Sequence, residues 1–453
     1  MTAQQIPRSW PCHKGKADIS DVRLGRIQVW ASCLPAALGE RRTRVQIHLS
    51  RSAKVRAFVF AMAISLLSAC GAERPDVLLG YVEPAAQPAL GGSDAGTDNS
   101  DSDDSGDGSS DDGGPERRAS NVPMEKLAVG EQPPQFILFS FDGVGVSENW
   151  DLFLKTADEV DARFTALMTG LYFLADDNKT EYRGPGYGPG ESALPFGGTK
   201  AEVIEQVEYL NKTWYDGHEM GTHYVGHWCA GTKNPGKDWS TAEWNHELDE
   251  FFRLMSDWKQ INNISDAPDL AFGTEVVKGG RTPCLEGGMG QLFPALGAHD
   301  MNWDSSKSAR KPGVYWPTKV GSVWEFPVPY TWSPPLNHRQ TALDYNYWYT
   351  VNGAKDRPQD APKLRKIVKR SYDYMYQRAY EGNRAPLVIA NHFNDWSGNA
   401  FNPATADFMR EVCDNPETIC ATYQDVIAWI EMQDQAALAP WIALPPVAVD
   451  ANN

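Results

Sequence analysis

Short apolar runs alternate with stretches of helix-like periodicity from residue 135 almost to the C-terminal end of the chain. Residues 136–141 form a short apolar and aromatic run, interrupted only by Ser140 and bounded by Pro134 and Asp142, a pattern typical of a buried strand. This alternation of strand and helix patterns predicts a parallel sheet or barrel. The predicted strands are 136–141, 171–174, 271–272, 323–328 and 387–390, and the predicted helices are 149–169, 199–210, 241–261, 363–380 and 404–413.

Two of these strand patterns are followed at once by a side chain that catalyses reactions in many proteins. Asp142 follows the first apolar run, and His392 follows the run at 387–390 after one asparagine. Reactive residues of barrel enzymes gather at the carboxyl ends of the strands. We therefore expect Asp142 and His392 to face one cleft, although His392 also suits a structural role at a strand end.

Three of the nine histidines of the chain fall within residues 217–227. His223 and His227 are four residues apart, so that two imidazoles are able to converge on one ion. Neutral imidazole is the commonest metal ligand in proteins, and a hydrolytic Zn²⁺ site commonly combines His with a carboxylate. Gly217 and Gly221 predict a specially shaped loop rather than a helix face. The alternative is a chance pair of surface histidines.

The N-terminal quarter has a different composition from the rest of the chain. Residues 1–50 show no clear periodicity and suit either an extended leader or a start codon assigned too early. Basic residues at 51–56 precede thirteen mostly apolar residues, 57–69, and Cys70 follows directly, a pattern typical of a lipoprotein signal peptide. The alternative is an ordinary cleavage site followed by a coincidental cysteine. This pattern predicts export to a bacterial envelope and a membrane as partner through lipid on Cys70.

The net charge of −17 comes in large part from one segment, because eight Asp lie between Asp94 and Asp112 in a Gly/Ser/Asp run. Such a run has almost nothing apolar to bury and is expected to be a solvated tether. The remainder carries no basic stripe, which argues against nucleic acid as a partner. The expected organisation is a leader at 1–50, a signal peptide at 51–70, a tether at 71–125, one barrel domain at 130–435 and a tail at 436–453.

Four of the seven cysteines lie in the predicted barrel, and an even number agrees with an oxidising compartment. Cys413 and Cys420 are close enough in sequence to close a small loop. That leaves Cys229, after the His segment, to pair with Cys284. The alternative for all four is a set of free buried thiols.

Several motifs, in a fixed order, resemble the polysaccharide deacetylases. Residues 139–143, FSFDG, resemble their first motif, which normally reads TFDDG. The His segment resembles the second motif, 281–283 the third (Arg-x-Pro), and 387–392 the last. Further stretches are similar to animal-type chitin deacetylases: 281–293, 303–306, 316–317 and 324–327.

This resemblance covers roughly residues 135–432 and implies a distorted (β/α)7-type barrel with α/β character. It implies a metal-dependent N-deacetylase of amino-sugar polymers, with a polysaccharide or oligosaccharide as substrate. His223 and His227 would hold the divalent metal, most simply Zn²⁺ given imidazole ligands. Asp142 would be the base, Arg281 would orient it, and His392 would be the acid. Seen alone, Arg281 also suits a surface salt bridge.

One departure from the family pattern is Gly143, which stands where the family has a second Asp that binds the metal. Either water fills that position, or Asp142 turns to the metal and the base is lost, or another carboxylate such as Glu148 or Asp151 supplies the ligand. Two functions therefore remain open. One is an active envelope-anchored deacetylase, and the other is a carbohydrate-binding surface protein that has lost turnover.

Overall fold

The computed structural model describes residues 26–31, 43–48 and 115–446, which fall into two units. The first unit holds an antiparallel pair of strands, β1 (Arg26–Ala31) and β2 (Thr43–His48), in a region where the sequence predicted no element. The predicted lipidation site Cys70 and most of the predicted tether lie outside the described residues. Within the described part of the chain, no helix combines the length and the apolar character needed to cross a bilayer.

The second unit is built on one long sheet. Its strands are β3 (Gln135–Val144), β4 (Phe164–Met168), β5 (Glu219–Thr222), β6 (Gly279–Gly280), β7 (Trp303–Asp304), β8 (Thr318–Val320), β9 (Val323–Glu325), β12 (Leu387–His392) and β13 (Thr418–Cys420), and a separate hairpin is formed by β10 (Tyr330–Ser333) and β11 (His338–Thr341). Seven strands run parallel in the spatial order β12-β3-β4-β5-β6-β7-β9, and this confirms the predicted (β/α)7-type α/β fold. Strand β8 is added antiparallel to β9, and β13 pairs with β3.

Helices fill the connections between the strands. Two of them begin with a capping box, in which Thr199 with Glu202 and Ser240 with Glu243 satisfy otherwise unpaired backbone N–H groups. The helices are α1 (Asn149–Glu159), α2 (Lys200–Tyr215), α3 (Thr241–Ser256), α4 (Trp258–Asn262), α5 (Met289–Ala298), α6 (Asp344–Asn352), α7 (Ala361–Glu381), α8 (Trp396–Asn399), α9 (Phe401–Cys413), α10 (Tyr423–Met432) and α11 (Gln435–Ile442).

The predicted helix at 149–169 is wrong in its second half. Helix α1 stops at Glu159, and Asp161 then adopts a left-handed φ of 47°, which turns the chain back towards the sheet. The following β4 is buried at all five positions between β3 and β5. A strand buried on both faces shows no alternation of apolar and polar residues, so the apolar residues of β4 resemble the continuation of a helical stripe.

The predicted strands at 171–174 and 271–272 are also wrong. The first is a 3-10 helix, Gly170–Phe173, whose buried apolar side chains contact the core without pairing in the sheet. The second is a bend. Two predicted strands are confirmed: 136–141 is part of β3, and 387–390 is part of β12. Three predicted helices are confirmed as parts of longer or matching helices: 199–210 in α2, 363–380 in α7 and 404–413 in α9. The helix predicted at 241–261 is present as two consecutive helices, α3 and α4.

Strand β3 lies in the centre of the core. Phe136, Phe139 and Phe141 are fully buried, and their rings contact aromatic rings on α10, α9 and α1 respectively. Each such side chain contributes about 1.5–3 kcal/mol when it is removed from water. Helices on both sides therefore fix β3, the strand that carries Asp142.

Segments at both ends of the predicted barrel also contact it. The backbone N–H of Arg118 donates to the carbonyl of Tyr215, and the N–H of Leu127 donates to the Gln433 side chain. Helix α11 is held by Trp441, whose indole Nε1 donates to the carbonyl of Glu131 at 3.0 Å. The ordered body thus extends beyond residues 130–435 in both directions.

The end of the sheet beyond β9 is a short strand. All three residues of β8 are exposed, and its central residue is Lys319. The Lys319 ammonium contacts the Glu431 carboxylate at 2.6 Å and lies 5.4 Å from the centre of the Trp324 ring. The edge strand is therefore short, charged and held against the body.

Candidate active site

Four strand ends bring the predicted site residues together. Asp142 and His392 are paired in register on the adjacent strands β3 and β12. His223 directly follows β5, and Arg281 directly follows β6. Because these strands are parallel, their carboxyl ends lie at one edge of the sheet.

Asp142 is buried, with 3% of its side chain exposed, and it forms an ion pair with Arg281. The distance from Arg281 Nη1 to Asp142 Oδ1 is 2.6 Å. Burial alone would raise the pKa of Asp142, but the Arg281 guanidinium outweighs burial and lowers the pKa below its ordinary value. Asp142 is therefore ionised at neutral pH. Its Oδ2 has no hydrogen-bond partner among the described residues.

Arg281 is fully buried and held on every side, so it is not a surface salt-bridge partner. Its Nε donates to the carbonyl of Ser305, and its Nη2 donates to the hydroxyls of Ser140, Ser305 and Tyr423 at 2.9–3.0 Å. These contacts fix the guanidinium plane, and the guanidinium in turn fixes the Asp142 carboxylate. No local pattern in the sequence pointed to Tyr423, which lies 142 residues from Arg281.

The His223 imidazole is oriented by a backbone group. Its Nδ1 lies 2.8 Å from the carbonyl oxygen of Arg281, which only accepts, so Nδ1 carries the proton and donates. Nε2 is then the unprotonated nitrogen, the arrangement found at metal-binding histidines. Burial lowers the pKa of His223 to about 3, so the ring is neutral at pH 7.

His227 lies on a tight loop, as predicted, but the loop begins only after Thr222, because Gly221 lies inside strand β5. Tyr224 and His227 adopt left-handed φ angles of 59° and 56°, and the ring centres of His223 and His227 are 5.4 Å apart. Burial lowers the pKa of His227 to about 4, so both imidazoles are neutral. The Cys229–Cys284 disulfide ties this loop to the segment after Arg281, with a sequence separation of 55 between the cysteines.

Both disulfides predicted from the sequence are present, because Cys413 is also joined to Cys420. Among the described residues, three possible metal ligands have ligand atoms that all lie within 4.8 Å of one another. They are His227, Cys229 and Cys284. The disulfide excludes both of these sulfurs as thiolate ligands.

The His pair suits a divalent metal, but a third side-chain ligand is not in place beside it among the described residues. Asp142 is engaged by Arg281, and Gly143 has no side chain. The two other carboxylates considered from the sequence are wrong for this role: Glu148 is exposed, and Asp151 is exposed with an oxygen 4.0 Å from the Lys212 ammonium on the outer helix α2. Water or substrate oxygen would complete the coordination.

His392 is oriented by a carboxylate that the sequence analysis missed. Its Nδ1 lies 2.7 Å from Oδ1 of Asp344, a fully buried side chain, and its backbone N–H donates to Oδ2 of the same residue at 2.8 Å. Burial lowers the pKa of His392, but the Asp344 carboxylate outweighs this effect and the net pKa is raised. Asp344 begins α6, 48 residues before His392, and no short motif links the two.

A pair of buried carboxyl groups lies at the ends of β7 and β9. Asp304 accepts hydrogen bonds from the backbone N–H and the hydroxyl of Ser306, and Glu325 is its partner in register on the neighbouring strand. Burial first, and then the neighbouring Asp304 carboxylate, raise the pKa of Glu325 well above its ordinary value. The two groups therefore share one proton.

Solved structures similar to this chain are polysaccharide deacetylases and members of carbohydrate esterase family 4, the family that the motifs resemble. A structure described as a polysaccharide deacetylase from Mycobacterium smegmatis is 14% identical, with a TM-score of 0.40, and the match covers 73% of this chain and all of the other. A chitin deacetylase from Colletotrichum lindemuthianum is 12% identical, with a TM-score of 0.33 and coverage of 63% and 88%. A family 4 pseudoenzyme from Bacillus anthracis is 10% identical, with a TM-score of 0.31 and coverage of 64% and 66%. The sequence matches no protein-family model and no curated protein.

Proposed function

We propose that the protein is a metal-dependent hydrolase that removes N-acetyl groups from an amino-sugar polymer of the chitin or peptidoglycan type. The observation that carries this proposal is the arrangement of an ionised buried carboxylate, two neutral imidazoles and a carboxylate-bound His392 at one edge of the sheet. Hydrolysis of an amide requires an activated water, a proton acceptor and an acid for the leaving amine.

Each side chain has a distinct part in this reaction. His223 and His227 would hold a divalent metal, most simply Zn²⁺, and a bound metal of this kind lowers the pKa of water. Asp142 accepts the proton of the water through Oδ2, while Arg281 holds Oδ1. His392, whose pKa is raised, donates a proton to the leaving nitrogen from Nε2, because Asp344 occupies Nδ1.

A second function is favoured by Gly143. Gly143 has no side chain, so the His pair lacks the third ligand that polysaccharide deacetylases have at this position. Weak metal binding would give a carbohydrate-binding protein that no longer turns over its ligand. This alternative predicts that oligosaccharides bind without release of acetate.

The decisive measurement is acetate release from N-acetylated chito-oligosaccharides in the presence of Zn²⁺. We expect release by the wild type, a loss of at least about a hundredfold in His392→Ala, and no change in Asp151→Asn, an exposed carboxylate control. Zn²⁺ titration calorimetry should show weaker binding in His223→Ala than in the wild type. Equal Zn²⁺ affinity in those two proteins would remove the His pair as ligands, and binding of oligosaccharide without acetate would favour the second function.

We also propose that lipid on Cys70 anchors the protein to a bacterial envelope. The support is the basic segment at 51–56, the short apolar run and the cysteine that follows it. Several acyl chains are needed for stable attachment. Cys70→Ser should move the protein from the membrane fraction to the soluble fraction, and an unchanged membrane fraction would disprove the lipid anchor.

A further inference from the structure

Helix α6 connects the candidate active site to the molecular surface. Its first residue is Asp344, whose buried carboxylate holds His392. The next residue on the helix is Tyr345, and Tyr349 lies one turn further on the same face. One short helix thus positions the proposed acid and also presents two tyrosines beside it.

The aromatic rings form a continuous row that begins at His392. The Trp396 ring centre lies 5.0 Å from the His392 ring centre and 5.6 Å from that of Tyr345. Tyr345 and Tyr349 then lie 6.5 Å apart with their planes 25° from parallel. We name the rings of Trp396, Tyr345 and Tyr349 the aromatic row.

The outer end of this row is exposed to an unusual degree for such large rings. Tyr345 is 43% exposed and Tyr349 is 63% exposed. By contrast, Trp348 on the same helix is 8% exposed, and its ring stacks on Trp396 at 4.7 Å. Trp348 is therefore a buried support for Trp396, whereas the two tyrosine side chains are exposed to solvent.

The chemistry around the row selects the kind of ligand. Asp344 is the only charged residue of α6, and it is fully buried, so the exposed surface of the helix is uncharged. Flat aromatic rings with hydroxyl groups combine a large apolar contact area with polar edges. A pyranose ring offers the complementary surface, with an apolar C–H face and hydroxyl groups at its rim. Each ring-to-ring step of the row is comparable to the width of one sugar ring.

We propose that the aromatic row is an extended binding site for a neutral polysaccharide, in which Tyr345 and Tyr349 hold sugar units beyond the one whose amide lies at His392. This inference rests on the proposed deacetylase function and adds to it a preference for long chains. A dimer bound at His392 would not reach Tyr349, whereas a hexamer would.

The test compares N-acetylglucosamine dimer and hexamer as ligands of the wild type, Tyr345→Ala, Tyr349→Ala and Tyr349→Phe. Binding is measured by calorimetry and turnover by acetate release. We expect each Ala variant to weaken hexamer binding and raise its KM about tenfold, the effect of losing one aromatic contact. Values for the dimer should stay within about twofold in Tyr349→Ala, and kcat for both ligands should stay within about twofold in both Ala variants. Tyr349→Phe retains the ring and should behave as the wild type.

The control is Tyr215→Ala, which removes a half-buried ring at the end of α2, before β5 begins and far from its carboxyl end. It should leave the ratio of hexamer to dimer affinity unchanged. Acetate release with a hexamer preference that neither Ala variant alters would overturn the aromatic row and leave the proposed function standing. Hexamer binding that depends on Tyr349 without acetate release would support the row and overturn the deacetylase. No binding of hexamer by the wild type would overturn both.

Discussion

Removal of Arg281 tests whether the buried ion pair is both structural and functional. Arg281→Met retains much of the side-chain volume but leaves the Asp142 carboxylate buried without a cation and deprives three hydroxyl groups of a donor. Breaking a buried pair in this way costs about 3–5 kcal/mol. For a body of about 330 residues, the unfolding entropy is about 0.7 kcal/mol per kelvin, so a loss of about 4 kcal/mol lowers Tm by about 6 °C.

The assay is guanidinium unfolding of the wild type, Arg281→Met, Asp142→Asn and the double variant. The double variant should be more stable than the two separate losses imply, because the neutral amide introduced at position 142 leaves no buried charge unpaired. Arg118→Met, which removes an exposed pair with Asp158, should change stability little. A loss below about 1 kcal/mol in Arg281→Met, or strict additivity in the double variant, would refute the reasoning.

Three further predictions concern other side chains of the site. Asp344→Asn removes the carboxylate that raises the pKa of His392, so the alkaline limb of the pH profile of kcat for acetate release should move to lower pH. A limb at the same pH as in the wild type would exclude His392 as the acid. Gly143→Asp places a Cβ 3.5 Å from the ring of His223, so the new carboxylate should add a metal ligand and tighten Zn²⁺ binding in calorimetry. The φ of 62° at this residue imposes some backbone strain on the variant. Unchanged affinity would mean that another group already fills the third ligand position. Glu325 binds a proton more tightly in the folded chain than in the unfolded chain, so the free energy of unfolding should fall as pH rises above about 4.5. Chemical denaturation at several pH values should show a smaller fall in Glu325→Gln than in the wild type, by up to about 1.4 kcal/mol per pH unit. Identical pH slopes in the two proteins would contradict a proton shared with Asp304.

The sequence was most informative where a strand is long and mostly apolar. Strands β3 and β12 were predicted because at least five successive residues of each are buried, and this placed Asp142 and His392 correctly. Strands β6 and β7 contain two residues each, too few for any periodicity, so their positions were not predicted. Family-like motifs nevertheless located Arg281 beside β6.

The residues that orient the side chains of the site by hydrogen bonds were harder to predict than those side chains themselves. His223, His227 and the two disulfides follow from local spacing and from cysteine number. Asp344 and Tyr423 act over 48 and 142 residues, and their partners are determined by the way the sheet brings distant strand ends together. Such contacts depend on tertiary packing, which spacing along the chain does not encode.

The charged edge strand β8 has a consequence for the behaviour of many copies held close together. An open sheet offers unpaired backbone groups at its edge, and a long flat edge promotes pairing between molecules. Here the edge ends after three residues, and the Lys319 ammonium stands at its centre, so a neighbouring copy would have to bury that charge in order to extend the sheet. A densely packed layer of the protein should therefore resist fibrous association through this edge.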